Sequence, residues 1–242
     1  MEILLFLIIH WYLSLFCQTF FLHRYSAHAM FSMSKGWEKF FFILSWISQG
    51  SSYLSAHAYG ILHRMHHEYA DTEKDPHSPK YDPTLMKMMW RTKQVYMDIM
   101  NDETGIDERF RINVPEWRSF DLFASAYYCR LSWAAVYIAF YVIYAENWWM
   151  YLLLPIHFLM GPLHGAVINW FAHKYGYTNF KVSNTSKNFL PVDILMMGES
   201  YHNNHHAQAD DPNFGHRWFE IDPSYPIILL LNTFGVIKLK KK

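Results

Sequence analysis

The stretch ILLFLIIHWYLSLFCQTFFL, residues 3–22, runs directly into His23-Arg-Tyr-Ser-Ala-His28. Twenty predominantly apolar residues suffice for one transmembrane helix, because the hydrocarbon core is about 30 Å thick. A secretory signal would show a basic start and a small-residue cleavage site; neither is present, and histidines follow at once, so the segment reads as a span. Further on, Leu131–Ala145 and Trp148–Phe171 form a second apolar block divided by Glu146 and Asn147. That pattern predicts a hairpin crossing twice, with Trp148 and Trp149 at an interface. Phe40–Ser48 gives way to Gln49-Gly50-Ser51-Ser52, and Ile227–Leu231 is short, so both are expected in the interface or packed on the spans. The charged segments 71–121 and 174–226 should be aqueous. The expectation is one domain over residues 1–242, an all-α integral membrane protein. Its spans lie at about 3–22, 131–146 and 148–171, and portions 23–130 and 174–242 build a His-rich cytoplasmic helical cap. A fourth crossing would require residues 37–58 to insert.

Composition agrees with a chain half in lipid and half in water. Aromatics are 19% of residues, ten of them Trp, which suits a bilayer interface. The mean hydropathy of -0.08 is low for a membrane protein, so a large wet portion must accompany the spans. Basic and acidic residues balance at 21 each, which excludes a bulk electrostatic pull toward nucleic acid. Cys17 and Cys129 both sit in apolar stretches, which excludes a disulfide framework. The unusual count is His, at 15, and histidine is the commonest side-chain metal ligand.

The histidines cluster as His23-Arg-Tyr-Ser-Ala-His28, His63-Arg-Met-His66-His67 and His202-Asn-Asn-His205-His206. In the second and third groups they recur at i, i+3 and i+4, one face of a helix, where imidazoles converge on a metal without backbone distortion. The five-residue step of the first is awkward for a regular helix. Its two histidines either serve two different metals or sit where the helix end unwinds. Asn169 and His173 share a face at the end of the last span. Eight box histidines plus His173 exceed what one ion can use and suit two, with four or five nitrogens each and positions left for dioxygen or water. Imidazole suits Zn, Cu, Fe and Ni alike, so the donors do not name the metal. Glu199 one turn before His202, with Glu68, Asp71 and Asp75 after the second box, offers carboxylates to hold the outer ring nitrogens. One such box alone is as well read as a solvated helix face; three, each adjoining a membrane segment, are not. His10, His157 and His164 either line a tunnel or hydrogen-bond between helices. His57, His77 and His216 read as structural, with His77 a candidate partner to the ligands.

The clusters must share one side of the membrane to meet. Arg24, Lys35, Lys39, Arg91, Lys93, Arg130, Lys174 and the lysines of the 238–242 tail all fall on that side, which predicts that it is cytoplasmic and the N-terminus outside.

The boxes, in the order HxxxxH, HxxHH and HxxHH, resemble the membrane-bound fatty-acid desaturases, specifically the acyl-CoA branch in a bacterial form. The run Asp71-Thr-Glu-Lys-Asp75-Pro-His-Ser78 is similar to that family's continuation of box two, and Gly198-Glu-Ser-Tyr-His-Asn-Asn-His-His206 to its third box. The likeness covers His23 to about Asp222. It implies two iron ions on the cytosolic side of a bacterial inner membrane, held by His23, His28, His63, His66, His67, His173, His202, His205 and His206, with Asn169 acting through water. It further implies dioxygen as co-substrate and an acyl substrate, expected as acyl-CoA with the new double bond near mid-chain. Two electrons per turnover would come from a separate ferredoxin- or cytochrome b5-type donor with its reductase, since no cytochrome b5 signature is fused at either end. One departure is that animal members carry an additional span before box one. Which of Trp11, Tyr12, Trp46, Trp133 or Trp170 lines the substrate slot is not legible in the sequence, each reading first as ordinary packing, and Arg91, Lys93, Arg109, Arg111 and Arg118 read as a phosphate site or equally as a positive-inside flank. The rival readings are a di-iron hydroxylase, a desaturase of another lipid, and a membrane zinc-binding or transport protein. Zinc can also replace iron on purification. Transport fits poorly, because permeation ligands lie near the bilayer midplane whereas these flank the spans.

Overall fold

The computed structural model describes residues 1–102 and 105–240; Glu103, Thr104 and the last two lysines of the tail lie outside the described residues. The chain is mostly helical. Helix α1 (Glu2–Cys17) continues directly into π-helical turns over Gln18–Ala27. Together they make one apolar helix of 26 residues, long enough to cross a bilayer. After β1 (Phe31–Met33), the Ser34 side chain caps α2 (Lys35–Gln49) by accepting from the Trp37 N–H. Helix α2 packs along α1 and the π-helical turns that continue it, with Phe41 and Phe42 against Phe20 and Phe21 of those turns, and leaves Trp37, Phe40, Ile43 and Ile47 exposed. It is not long enough for a fourth crossing. It stops at Gly50, whose φ is +52° and where a Cβ would collide with the Tyr137 side chain. Helix α3 (Ala56–Tyr69) then carries box two, capped by Ser55.

Helix α4 (Leu85–Met100) is followed by α5 (Arg118–Ser125) and α6 (Tyr127–Tyr144), which meet at 53°. A 3₁₀ segment over Trp148–Leu153 leads into α7 (Leu154–Phe158), α8 (Met160–Ala166), π-helical turns over Val167–Phe171 and α9 (Ala172–Lys174). The stretch expected as one span over 148–171 is therefore bent, by 74° at Leu159. Pro162 explains the break: it has no N–H to give, and its ring crowds the carbonyl four residues back, that of Phe158. Among the described residues one helix is a candidate span by length and apolarity, and three if each bent pair is one crossing.

Helix α10 (His202–Ala207) carries box three, and α11 (Ser224–Thr233) and β2 (Ile237–Leu239) complete the chain. Strand β2 pairs antiparallel with β1, Phe31 opposite Leu239, which ties the C-terminal segment to the turn after box one. A core of Phe20, Phe21, Phe31, Tyr201, Phe214 and Ile228 joins these elements and holds boxes one and three together.

Candidate metal centre

Two adjoining groups of buried and half-buried imidazoles form where the π-helical turns after α1 meet α3, α9 and α10. His23, His28, His63, His67 and His205 make one; His66, His173, His202 and His206 make the other. Each HxxHH box is divided between them. Its first and last histidines share a group and the middle one serves the other, because i and i+4 lie closer in angle on a helix than i and i+3 face the same point. Box one is not divided. His23 and His28 sit in the same group, their rings 5.1 Å apart. The π-helical turns make this possible: the His28 N–H bonds the His23 carbonyl, an i→i+5 step that brings both side chains to one face. The reading that they serve different metals is corrected by this local unwinding.

Opposed ring nitrogens test whether metal ions fit. His205 Nε2 lies 3.0 Å from His23 Nε2 and 2.9 Å from His67 Nε2. His202 Nε2 lies 3.0 Å from His173 Nε2 and 3.1 Å from His206 Nε2, and His28 and His63 oppose Nε2 atoms at 2.9 Å. A neutral imidazole has one proton for two nitrogens, so it cannot satisfy two such neighbours. In His23 and His66 that proton is committed elsewhere, at Nδ1. Protonating the rings is no remedy. Burial first, and then the neighbouring histidines, hold His28, His63, His67, His202, His205 and His206 well below the usual imidazole range. Converging lone pairs at these distances are a donor set for cations, and both groups fit metal ions.

The outer nitrogens are held from behind. His23 Nδ1 donates to the Glu199 carboxylate, 2.7 and 2.9 Å from its oxygens, and His66 Nδ1 donates to Asp75 at 2.9 Å. Burial alone would raise the Glu199 carboxyl, but His23, Arg24 and Thr19 outweigh it and keep the group below its usual range. Asp71 acts one residue further out. It accepts from the Thr185 N–H and the Ser78 hydroxyl, while Thr185 Oγ1 meets His173 Nδ1 at 3.1 Å. Glu68 is turned away to Arg109, 3.0 Å distant. His77, taken from sequence as structural, is buried 4.2 Å from the His66 ring with neither nitrogen partnered, and its own N–H-bearing backbone bonds Asp75.

Several supporting residues carry no signal in a metal-ligand search. Arg24 reads as a flank charge in sequence. In the structure it is fully buried, pairs with Asp222 at 2.6 Å, and lies 3.8 Å over the Phe214 ring that backs His205. The asparagines inside box three pin its helix. Asn203 Oδ1 accepts from the Asn179 and Phe180 N–H groups, and Asn204 Nδ2 donates to the Phe214 carbonyl and Glu220. Asn188 Oδ1 accepts from the Asn203 N–H at the start of α10. Asp193 accepts the N–H groups of Met196, Gly198 and Ser200 and so shapes the loop that presents Glu199.

A cavity of about 930 Å³ runs from the histidines between α4, α5, α6 and α8. His23, His63, His202, Glu199 and Asn169 line its histidine end, and His164 lines it with both ring nitrogens unpartnered. His10 and His157 take the other role foreseen for them, bonding each other at 2.7 Å and Tyr141 at 3.0 Å between helices. The five aromatics read first as ordinary packing are that, and none of them lines the cavity. Trp11 donates to the Leu195 carbonyl, Trp46 packs on Trp133, Trp170 lies beneath Lys174, and Tyr12 joins the cluster around Leu15. The wall comes from Tyr59, Trp90, Tyr96 and Phe158 instead, with the methionines of α4. Of the candidate phosphate ligands only Lys93 lines it. Arg91 pairs with Asp82 at 2.8 Å, Arg109 with Glu68 and Asp107, and Arg111 and Arg118 with Asp102.

Comparison with known proteins decides what this apolar slot with its two groups of imidazoles belongs to. The family model described as fatty acid desaturase matches residues 2–228. The chain belongs to the fatty acid desaturase family. Family membership makes it an enzyme that desaturates fatty acyl chains. Delta-9 acyl-lipid desaturase 1 of Arabidopsis thaliana is 27% identical over 226 residues, covering 88% of this chain and 67% of that protein. The sn-1 stearoyl-lipid 9-desaturase of Synechocystis sp. is 26% identical over 220 residues, covering 89% and 64%. The icosanoyl-CoA 5-desaturase of Limnanthes douglasii is 28% identical over 176 residues, covering 72% and 47%. The chain thus spans about two thirds of the length of the first two relatives and about half of the third.

Proposed function

We propose that this desaturase works at a pair of iron ions and consumes dioxygen. The observation that carries the reading is the pair of adjoining imidazole groups at one end of an apolar cavity. His23, His28, His63, His67 and His205 would hold one ion; His66, His173, His202 and His206 would hold the other, with Asn169 reaching it through water. The group of five histidines offers more donors than the four that tetrahedral zinc takes, which favours a metal of higher coordination number such as iron.

Bound iron supplies the oxidising power that side chains lack, since an unactivated methylene has neither an acidic proton nor an electrophilic carbon. The methylene pair gives up two hydrogens to form the double bond, and dioxygen becomes two waters. Two electrons and two protons complete the balance. The electrons come from a separate one-electron carrier, of ferredoxin or cytochrome b5 type, with its reductase. The residues of this chain do the rest. Glu199 and Asp75 keep the protons of His23 and His66 on Nδ1, which leaves the Nε2 lone pairs inward. The aromatic and methionine walls hold the alkyl chain and exclude water. In this reading the 242 residues form one domain, with spans at about 3–22, 131–146 and 148–171 crossing a bacterial inner membrane. The histidine-bearing portions 23–130 and 174–242 stand on the cytoplasmic side, where the exposed basic residues collect.

The test is expression of the wild-type chain and His205→Ala in a bacterium with a matched donor and reductase, followed by gas chromatography–mass spectrometry of cellular fatty acids. A new monounsaturated acid in the wild type alone is expected. A hydroxy acid in its place would overturn desaturation, and equal product from His205→Ala would overturn the metal centre.

A further inference from the structure

His66 and His173 belong to the same group of imidazoles but come to it on different elements, one on α3 and the other on α9. Behind the site their outer nitrogens are joined through three residues. His66 Nδ1 donates to one oxygen of Asp75 at 2.9 Å, and the other oxygen accepts the Asp71 N–H at 2.9 Å. The Asp71 carboxylate accepts from the Thr185 N–H and from the Ser78 hydroxyl. Thr185 Oγ1 lies 3.1 Å from His173 Nδ1, and the same hydroxyl bonds Asp71. A hydroxyl has one proton to give and two lone pairs to offer. It gives the proton to the carboxylate and accepts from the imidazole, so Asp71 acts on His173 through it.

Local structure places these residues independently of the bond. Asp71 has a φ of +60°, in the left-handed region that Asp enters more readily than most residues, and its N–H closes the turn after α3 onto Asp75. The His77 N–H holds Asp75 from the far side at 3.0 Å. On the other loop, the Lys187 N–H bonds the Ala172 carbonyl at 2.7 Å and fastens the segment carrying Thr185 beside His173. That anchor is backbone, so it serves whatever side chain stands at 185. Thr185 itself is exposed, and its side chain fills no core.

The bond matters because a neutral imidazole carries its proton on either nitrogen. A proton on His173 Nε2, which faces His202 Nε2 at 3.0 Å, would block the lone pair that a metal needs. An acceptor backed by an anion at Nδ1 holds the proton there and leaves Nε2 bare. His202 Nδ1 and His205 Nδ1, by contrast, are buried without a partner among the described residues.

We infer that Thr185 is a positioning residue of the metal centre: its hydroxyl relays Asp71 to His173, and the 71–78 and 183–187 loops close as one clasp behind the four-histidine group. The inference rests on the proposed metal pair, and its test separates the two. Chelator competition with elemental analysis reads the ion left in a His205→Ala background, held by the four-histidine group, and in a His66→Ala background, held by the five. Thr185→Val keeps the shape and the N–H and removes the hydroxyl. It should weaken the first ion roughly tenfold, the lower end of what outer partners of metal ligands are worth, and leave the second unchanged. Thr185→Ser should restore the affinity. Asp71→Asn should weaken the same ion, and adding Thr185→Val to it should do little more, because both break one relay. The unfolding midpoint of the metal-free protein should move in Thr185→Val no further than for an ordinary surface substitution. Unchanged affinity in Thr185→Val, equal loss from both groups, or a loss that serine does not restore would overturn the relay and leave the metal centre standing. A clearly lowered midpoint would make Thr185 a fastener of its loop and overturn the positioning role. A wild-type chain that takes up no metal would overturn the metal pair and the clasp with it.

Discussion

Replacing Glu199 by Gln should loosen one metal ion and spare the other. The carboxylate accepts from His23 Nδ1 at 2.7 and 2.9 Å and from the Thr19 hydroxyl, and it lies 3.8 Å from Arg24. Glutamine keeps the shape and an accepting oxygen but loses the charge. A hydrogen bond to a charged group contributes about 1.5–3 kcal/mol against about 0.5–1.5 for a neutral one. The difference of about 1–1.5 kcal/mol is roughly five- to tenfold in metal affinity, the lower end of what outer partners of metal ligands are worth. The loss should fall on the five-histidine group, because Glu199 bonds His23 and none of the four histidines opposite. Chelator competition with elemental analysis measures it. In a His66→Ala background, which cripples the four-histidine group, Glu199→Gln should still weaken the remaining ion. In a His205→Ala background, it should change little more, as expected of coupled sites in a double-mutant cycle. Wild-type retention of both ions, or equal loss from both groups, would refute the assignment of Glu199 as the orienting acceptor of His23.

Other perturbations probe the scaffold. Arg24→Ala leaves Asp222 buried without its cation, so the folded state should lose roughly 3–5 kcal/mol, read as a lowered unfolding midpoint in detergent; a midpoint within error of the wild type would refute the structural role of the pair. Gly198→Ala should abolish metal binding, since Gly198 has φ +93° and a Cβ there would lie 2.4 Å from an Asp222 oxygen; normal metal content in the variant would contradict the loop geometry. The metal-free protein should weaken in acid. Histidines held neutral by burial bind fewer protons folded than unfolded, so stability rises with pH, is complete above the ordinary value of 6.5, and falls as pH drops below it. The slope is about 1.4 kcal/mol per pH unit for each such group; midpoints that stay flat or rise between pH 7.5 and 5 would contradict it.

The sequence carries the donor set plainly and the rest unevenly. Eight of the nine histidines were legible because imidazoles at i, i+3 and i+4 repeat in boxes two and three beside the HxxxxH of box one, a chemical pattern independent of tertiary contacts. The substrate wall was not. Trp11 and Trp46 have the composition of a lipid slot, yet their indole N–H groups find a carbonyl and a thiol elsewhere. The true wall is an amphipathic helix rich in Met and Lys that reads as a solvated surface, because its apolar stripe shows only as a period of 3.6 in a charged segment. Arg24 misled for a related reason. A guanidinium next to a span has the same one-dimensional signature whether it faces the cytoplasm or, as here, an Asp almost two hundred residues away. Long-range pairing of single polar residues leaves no local pattern to read.

The division of the HxxHH boxes between the two groups follows from helix periodicity. In a regular α-helix the step of four residues returns to within about 40° of its starting direction, whereas three residues fall short by about 60°. Residues i and i+4 therefore converge on one ion, and i+3 swings toward a neighbour on the same side. His63 and His67 go one way and His66 the other; His202 and His206 go the other way and His205 crosses to meet them. Each HxxHH box thus contributes to both groups, so neither can be assembled without α3 and α10 being docked together. Box one escapes the rule by widening its turn, and with five residues per hydrogen-bonded step it delivers both imidazoles to a single group. Shortening that step tests the logic. Deleting Ala27 would tighten His23 and His28 to the i, i+4 spacing that α-helical turns already satisfy, and would relieve the helix of its need for π geometry. If metal content survives such a deletion, spacing and not the π-helical turns is what places the pair.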